Sequence, residues 1–281
     1  MFSGFMVNTW LGGSVMAAVA GLVGFFVVLR GSTFAAHAIP QGAFAGAAGA
    51  ALIGVNTLVG TGTFALLGVA AIALWSRHGR NDVVTALVLV SLLGVGSLFL
   101  SLSTEYAQQA FSLLFGSPLA VSSSELVPTA ALGAFCVALL AALYRPLLLG
   151  SVAPELAITG PVPPARAELG FLLAVGVATT LALPVVGALL VFSLMIGPPA
   201  AARQLAGRPS LAMGLSAALA LVTAWVAIAA SYETNWPVGF FVGTFSAVWY
   251  VAGRAWAAWS RRARASVGPR ARQKLALGRA S

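Results

Sequence analysis

Few residues in this chain could do chemistry. Two histidines (His37 and His78), one cysteine (Cys136) and one lysine (Lys274) stand among 281 residues. Lys274 lies in a tail without a glycine-rich loop, so no G-x-x-x-x-G-K-[ST] phosphate cradle exists. Neither H-E-x-x-H nor G-x-S-x-G occurs, and neither histidine has a triad partner in the sequence pattern. No catalytic residue, enzyme activity or permanently bound cofactor is expected. His78 stands between Arg77 and Arg80 and reads as solvated, while Cys136 reads as a small apolar core residue with no disulfide partner. His37 is different. A neutral imidazole can ligate a borderline or soft divalent ion, and Pro40 interrupts the surrounding apolar run. Irregular backbone at membrane depth is tolerated only where protein or a watery path surrounds it. Residues 33–42 are therefore the candidate lining of a pathway, with an irregular or re-entrant start. A second reading stays open, in which His37 hydrogen-bonds the backbone around Pro40. Met195 offers a thioether, for which helix packing is the simpler role.

The elements that must position these residues follow from composition. The chain is 60% hydrophobic and 7% charged, against about 25% charged in soluble domains. Too little polar surface exists to cover a globule in water. The formal net charge of +9 does not indicate nucleic acid, because the basic residues are scattered between apolar stretches outside one C-terminal cluster. Apolar segments long enough to cross a bilayer are read at 8–29, 33–55, 57–76, 82–104, 125–144, 209–230 and 237–258. The stretch 167–202 would be about 54 Å long as one helix and is divided at Pro184. The first run ends at Arg30 rather than at a small-residue cleavage site, so it is expected to remain as a spanning helix. The result is an all-α polytopic transmembrane helix bundle of nine segments, with the N-terminus outside and the C-terminus cytoplasmic. With that parity all 15 Lys and Arg residues fall on the cytoplasmic side, as the positive-inside rule requires. Residues 1–258 form the membrane domain, and 259–281 form a basic cytoplasmic tail, expected to be disordered and associated with membrane lipid through Trp256, Trp259 and clustered arginines.

Gly42, Gly46, Gly49 and Ala50 make a small-residue stripe on the second segment, suited to close helix packing in lipid. Ion-coupled carriers keep ionisable groups inside the bilayer. Here Asp82 reads as a cytoplasmic helix start, and Glu105, Glu125 and Glu233 read as outer-surface residues. The energy source is then expected on a partner.

Four stretches resemble the permeases of zinc/manganese/iron-type ATP-binding-cassette importers, over most of the length from Gly12 to Val251. Phe26–Gly46 (F-V-V-L-R-G-S-T-F-A-A-H-A-I-P-Q-G-A-F-A-G) resembles the segment with a Gly-Asp-Ala-Leu-Ser-His-Ala core. Leu114–Leu126 (L-F-G-S-P-L-A-V-S-S-S-E-L) is the second stretch. Ala153–Gly160 (A-P-E-L-A-I-T-G) is similar to Asp-Pro-Glu-Leu-Ala-x-x-x-Gly. Val185–Arg203 (V-V-G-A-L-L-V-F-S-L-M-I-G-P-P-A-A-A-R) matches the family's Val-Val-Gly-x-Leu-Leu-Val pattern. The resemblance implies a paired permease, with a second copy of itself, two ABC ATPase subunits on the cytoplasmic face and an extracellular metal-binding protein. It also implies a bacterial plasma-membrane location and transport of a divalent metal ion. It makes Pro154, Glu155, Leu156, Ala157 and Gly160 the ATPase-coupling element, for which a plain solvated loop is the alternative. The family's Asp and His fall at His37 and Gln41 here, so the transport pathway keeps polar groups but loses a carboxylate. Glu233 in S-Y-E-T-N-W-P would stand at the outer mouth, or simply in a solvated loop.

The function so expected is the permease subunit of an importer for zinc, manganese or iron. The alternatives are a permease for chelated metal or cobalamin-like cargo, or a cation channel or carrier needing no ATPase. On the leading reading the purified, reconstituted chain turns over no ATP by itself. A phosphate-release assay giving turnover above empty vesicles would overturn it.

Overall fold

The structure is a computed structural model that describes residues 4–75, 81–103, 112–116, 123–158, 160–188 and 190–277. Among them there is no strand. The helices are α1 (Gly4–Arg30), α2 (Thr33–Ile53), α3 (Thr57–Trp75), α4 (Asn81–Ser101), α5 (Leu126–Val152), α6 (Pro154–Ala157), α7 (Pro164–Val186), α8 (Val191–Leu205), α9 (Pro209–Thr234) and α10 (Val238–Leu277). Six of these, α1, α3, α4, α5, α7 and α9, are long and apolar enough to cross a membrane. α2 has the length, at 21 residues, but His37, Pro40 and Gln41 dilute its apolar character. α8, at 15 residues, reaches about 22 Å, short of a core about 30 Å thick.

Close contacts give the helix directions. The backbone of α2 runs antiparallel to α3, with Gly46 against Gly60 and Phe64, and parallel to α4, with Gly42 on Leu92 and Gly49 on Phe99. The small-residue stripe thus packs on two neighbours at once. At Gly46 a Cβ would collide with the carbonyl oxygen of Gly60, so only glycine allows the two backbones to meet. α1 runs parallel to α5 (Gly133 on Val15) and to α8 (Gly24 on Met195 and Pro199). It runs antiparallel to α9, where Gly21 meets Ser216 and Ala217 while Gly13 meets Ile228. α7 lies antiparallel to α3 and α5, with Gly176 on Val69 and Gly170 on Leu143.

The two ends of the bundle consequently differ. One end gathers Asn8, whose Nδ2 donates to Ser123 Oγ at 2.7 Å, and Asn56, whose Nδ2 donates to Glu125 Oε1 at 3.2 Å. The antiparallel pairing of α9 with α1 brings Glu233 to the same end. The other end gathers Arg30, Arg145, Arg166, Arg203 and Arg208, with α6 among them. Arg254 joins them, because α10 runs parallel to α8 from Gly239 at Leu190 to Gly253 at Ala201. Arg77, Arg80, His78 and Glu105 lie outside the described residues.

α1, α2, α7 and α8 form the buried centre, where Phe25, Phe26, Phe171, Leu183, Leu194 and Met195 are almost fully enclosed. Met195 therefore packs, as expected. The outer helices present Leu66, Leu67, Leu87, Val90 and Phe135 to the outside. So broad an apolar exterior is unfavourable in water and suits hydrocarbon.

Two expectations change. The expected division at Pro184 falls instead after Val186, because Pro184 stays inside α7. Gly187 breaks the helix with φ 86, ψ 152, a conformation open to glycine. It lies against Leu114 and Gly116, and the Ala188 amide donates to the Leu113 carbonyl at 2.9 Å. Second, α2 is a continuous helix from Thr33 with Pro40 inside it, rather than irregular at its start. Burial against α3, α4 and α7 outweighs the proline's cost there. The last helix, α10, runs on to Leu277, past residue 259 and through Gly268 and Pro269.

Gly46→Leu should lower stability by about 3 kcal/mol through overpacking, seen as a fall in the unfolding midpoint in detergent. Gly94→Ala, which faces open space, should leave that midpoint unchanged or raised. Equal midpoints for the two variants would contradict the backbone contact.

Candidate functional site

α2 carries His37 and Gln41 one helical turn apart, hence on one face. The His37 ring meets Phe192 of α8 edge to face, with centroids 4.8 Å apart. Its Nδ1 is buried and meets no hydrogen-bond partner, so the expected alternative of a backbone bond near Pro40 is not made at that nitrogen. Gln41 is 7% exposed. Pro40 supplies no N–H, so the Ala36 carbonyl loses its usual helical donor beside His37. An imidazole nitrogen, an amide oxygen and a backbone carbonyl are thus concentrated on one stretch of a buried helix. Among the described residues no three His, Cys, Asp or Glu side chains come together as a metal cluster.

Two further buried polar residues were missed from the sequence. Thr61 on α3 and Thr179 on α7 hold buried hydroxyls without partners, on helices that flank α2. Leaving such a group unsatisfied costs about 1–3 kcal/mol, a cost that contact with water or cargo would relieve. Isolated threonines in apolar runs carry no sequence signal that separates them from ordinary helix packing.

The basic end holds the second part of the site. α6 is a single turn begun by Pro154 at its first position and followed by the Gly160 amide donating to the Ala157 carbonyl at 3.3 Å. Glu155 and Leu156 are exposed, whereas Ala157 and Gly160 are partly covered. Beside α6, Arg30 ends α1, where a cation suits the helix dipole. Its Nη2 donates to Glu168 Oε2 in an ion pair, and its guanidinium lies over the Phe171 ring at 5.2 Å. Sequence reasoning passed over Glu168. A carboxylate at the start of an apolar segment is costly unless paired, and that cost was the signal available. Arg203 Nη1 donates to the Val28 carbonyl at 2.9 Å and ties α8 to α1 at the same level. At the far end Glu233 is exposed just before Asn235, which caps α9 at φ 57.

A helical bundle with six helices long and apolar enough to cross a membrane, one basic end and a surface turn at that end is the architecture of a multi-pass membrane protein. Residues 3–256 match the ABC 3 transport family, and the chain belongs to that family. It is 26% identical over 234 residues to the "Manganese transport system membrane protein MntC" of Listeria innocua serovar 6a, covering 83% of each chain. It is 26% identical over 249 residues to the "Manganese import system permease protein ScaB" of Streptococcus parasanguinis, covering 88% of this chain and 89% of the relative. The solved structure of PsaBC from Streptococcus pneumoniae in complex with Fab shares the fold, with a TM-score of 0.80 at 23% identity over 90% of this chain and 91% of that one.

Glu168→Gln should destabilise the bundle by about 1 kcal/mol, since the carboxylate is partly exposed. Most of that loss should vanish in an Arg30→Gln background, and additive losses in this double-mutant cycle would show that the pair contributes nothing.

Proposed function

We propose that this chain is the membrane-spanning permease subunit of a bacterial plasma-membrane importer for a divalent metal ion, driven by ABC ATPase subunits on its basic side. The observation carrying this reading is the family match across nearly the whole chain, joined to a bundle whose basic end bears the exposed turn of Glu155 and Leu156. The chain crosses the membrane in nine segments, α1 to α5 and α7 to α10, with the N-terminus outside and the basic end in the cytoplasm. It contributes no nucleotide chemistry; closure of the ATPase dimer pushes on Pro154–Ala157 and Gly160, and α5 and α7 carry that displacement into the bundle. A second copy completes the passage, and an extracellular metal-binding protein delivers cargo at the end bearing Glu233. Manganese is the first candidate, given the names of the relatives, with zinc and iron behind it.

His37 and Gln41 would meet the ion in passage. Neutral donors hold a dication less tightly than carboxylates do, and transport requires a site weak enough to release what it binds. Manganese accepts oxygen donors readily, which suits the Gln41 amide and the Ala36 carbonyl beside His37. The metal is cargo and not a resident cofactor.

The test is uptake of radioactive manganese by cells carrying the complete transporter. His37→Ala should lower uptake about tenfold while protein abundance stays constant, the size expected for one ligand worth about 1.4 kcal/mol. Glu155→Arg with Leu156→Arg should abolish both co-purification of the ATPase and uptake while leaving the unfolding midpoint unchanged. Normal uptake by the second variant would remove the coupling assignment, and uptake by the permease without its ATPase would remove the importer reading.

A further inference from the structure

A second feature of the structure lies away from the His37 and Gln41 stretch. A cavity of about 750 Å³ lies at the basic end, between α5, the end of α1 and the segment from Pro154 to Ala167. Two guanidinium groups line it, Arg30 and Arg145, and its remaining wall is mostly apolar. Arg30 is committed through Nη2 to Glu168, and its Nε has no partner. Arg145 is exposed, and the ion pair described among these residues does not involve it. The cavity therefore carries two cations against one carboxylate.

Its shape continues upward. A second, apolar groove of about 330 Å³, lined by Leu22, Val137, Leu140 and Met213, shares Ala141 and Tyr144 with the cavity. Leu22 stands eight residues before Arg30 in α1, and Val137 stands eight before Arg145 in α5. Each is about 12 Å deeper along its helix. Charge at the mouth and an apolar slot running toward the bilayer centre form an amphipathic site. Exposed Leu149 and Val152 flank the mouth on α5, so the opening is reachable from surrounding lipid.

We propose that this cavity and groove bind an acidic phospholipid from the cytoplasmic leaflet, with its phosphate between Arg30 and Arg145 and one acyl chain along α5. The inference rests on the membrane placement in the reading above, but not on the cargo or the ATPase. Arg145 supplies the free charge. Arg30, held by Glu168 and Phe171, supplies a fixed one. Arginine suits phosphate through its planar set of donors. The occupant touches Ala157 and Gly160 from beneath, on the side away from exposed Glu155 and Leu156. Lipid and ATPase would therefore engage opposite sides of the same turn.

Native mass spectrometry of the purified full-length chain in detergent tests this, with added dioleoyl phosphatidylglycerol, dioleoyl phosphatidylcholine, short-chain dibutyryl phosphatidylglycerol or inorganic phosphate. The long-chain anionic lipid should be retained in preference to the other three. Arg145→Gln should weaken its retention about fivefold, and Ala141→Phe, which fills the junction of the two spaces, should weaken it without changing charge. Arg208→Gln, at the same end but outside the cavity, should have no effect. Unfolding midpoints confirm that each variant is folded. Equal retention of the anionic and neutral lipids, or retention unchanged in Arg145→Gln, would overturn the proposal. Binding of inorganic phosphate as tightly as the lipid would also overturn it, leaving an anion site alone. Because neither metal nor ATPase enters the measurement, its failure would leave the importer reading standing.

Discussion

Helices surrounded by hydrocarbon gain nothing from burying more hydrocarbon, so their association depends on how closely their backbones can approach. That constraint runs through this bundle. Gly21 on α9, Gly24 on α8, Gly46 on α3, and Gly197 and Gly253 at the α8–α10 contact each bring two helices together without an intervening side chain. Large residues fill what remains: Phe25, Phe26 and Phe171 are enclosed where α1, α5 and α7 converge. Dispersion between well-fitted surfaces, summed over many contacts, replaces the hydrophobic drive available in water. Inside such tight packing a polar side chain left without a partner is conspicuous, which is why His37, Thr61 and Thr179 stand out.

The two parts of the candidate site obey different electrostatic rules. Around α2 the buried polar groups include no carboxylate, lysine or arginine, which spares the bundle the cost of burying such a charge there. At the basic end the charges are kept, near water and lipid headgroups, and Arg30 uses a carboxylate, an aromatic face and a helix terminus together. α1 links the two regions. It contacts α8, whose Phe192 meets His37, and it ends in the arginine beside α6.

Much of this was legible in the residues. Runs of apolar sequence located the helices, and the spacing of Gly42, Gly46 and Gly49 identified a packing face that now meets α3 and α4. The one-sided arginines foreshadowed the basic end. The break between α7 and α8 was placed three residues early, because its cause is contact with residues 113–116, far away along the chain. A proline is visible to local rules, whereas a glycine made necessary by a distant carbonyl is not. Glu168 and the two threonines were missed for the same reason: their significance lies in which atoms face them. The continuity of α2 through Pro40 likewise reflects neighbours that enclose it, beyond what local propensity could reveal.

The length of α10 has a consequence for whatever sits beneath the bundle. Forty residues make a rod about 60 Å long, roughly twice the depth of the oily layer. Its first half is spent alongside α8 and α9. Beyond Gly253, which meets Ala201 of α8, the same helix carries a run of arginines, so its far part adds positive charge to the basic end. One helix thus serves two tasks, packing against α8 with its glycine-bearing first half and extending the charged end with its second.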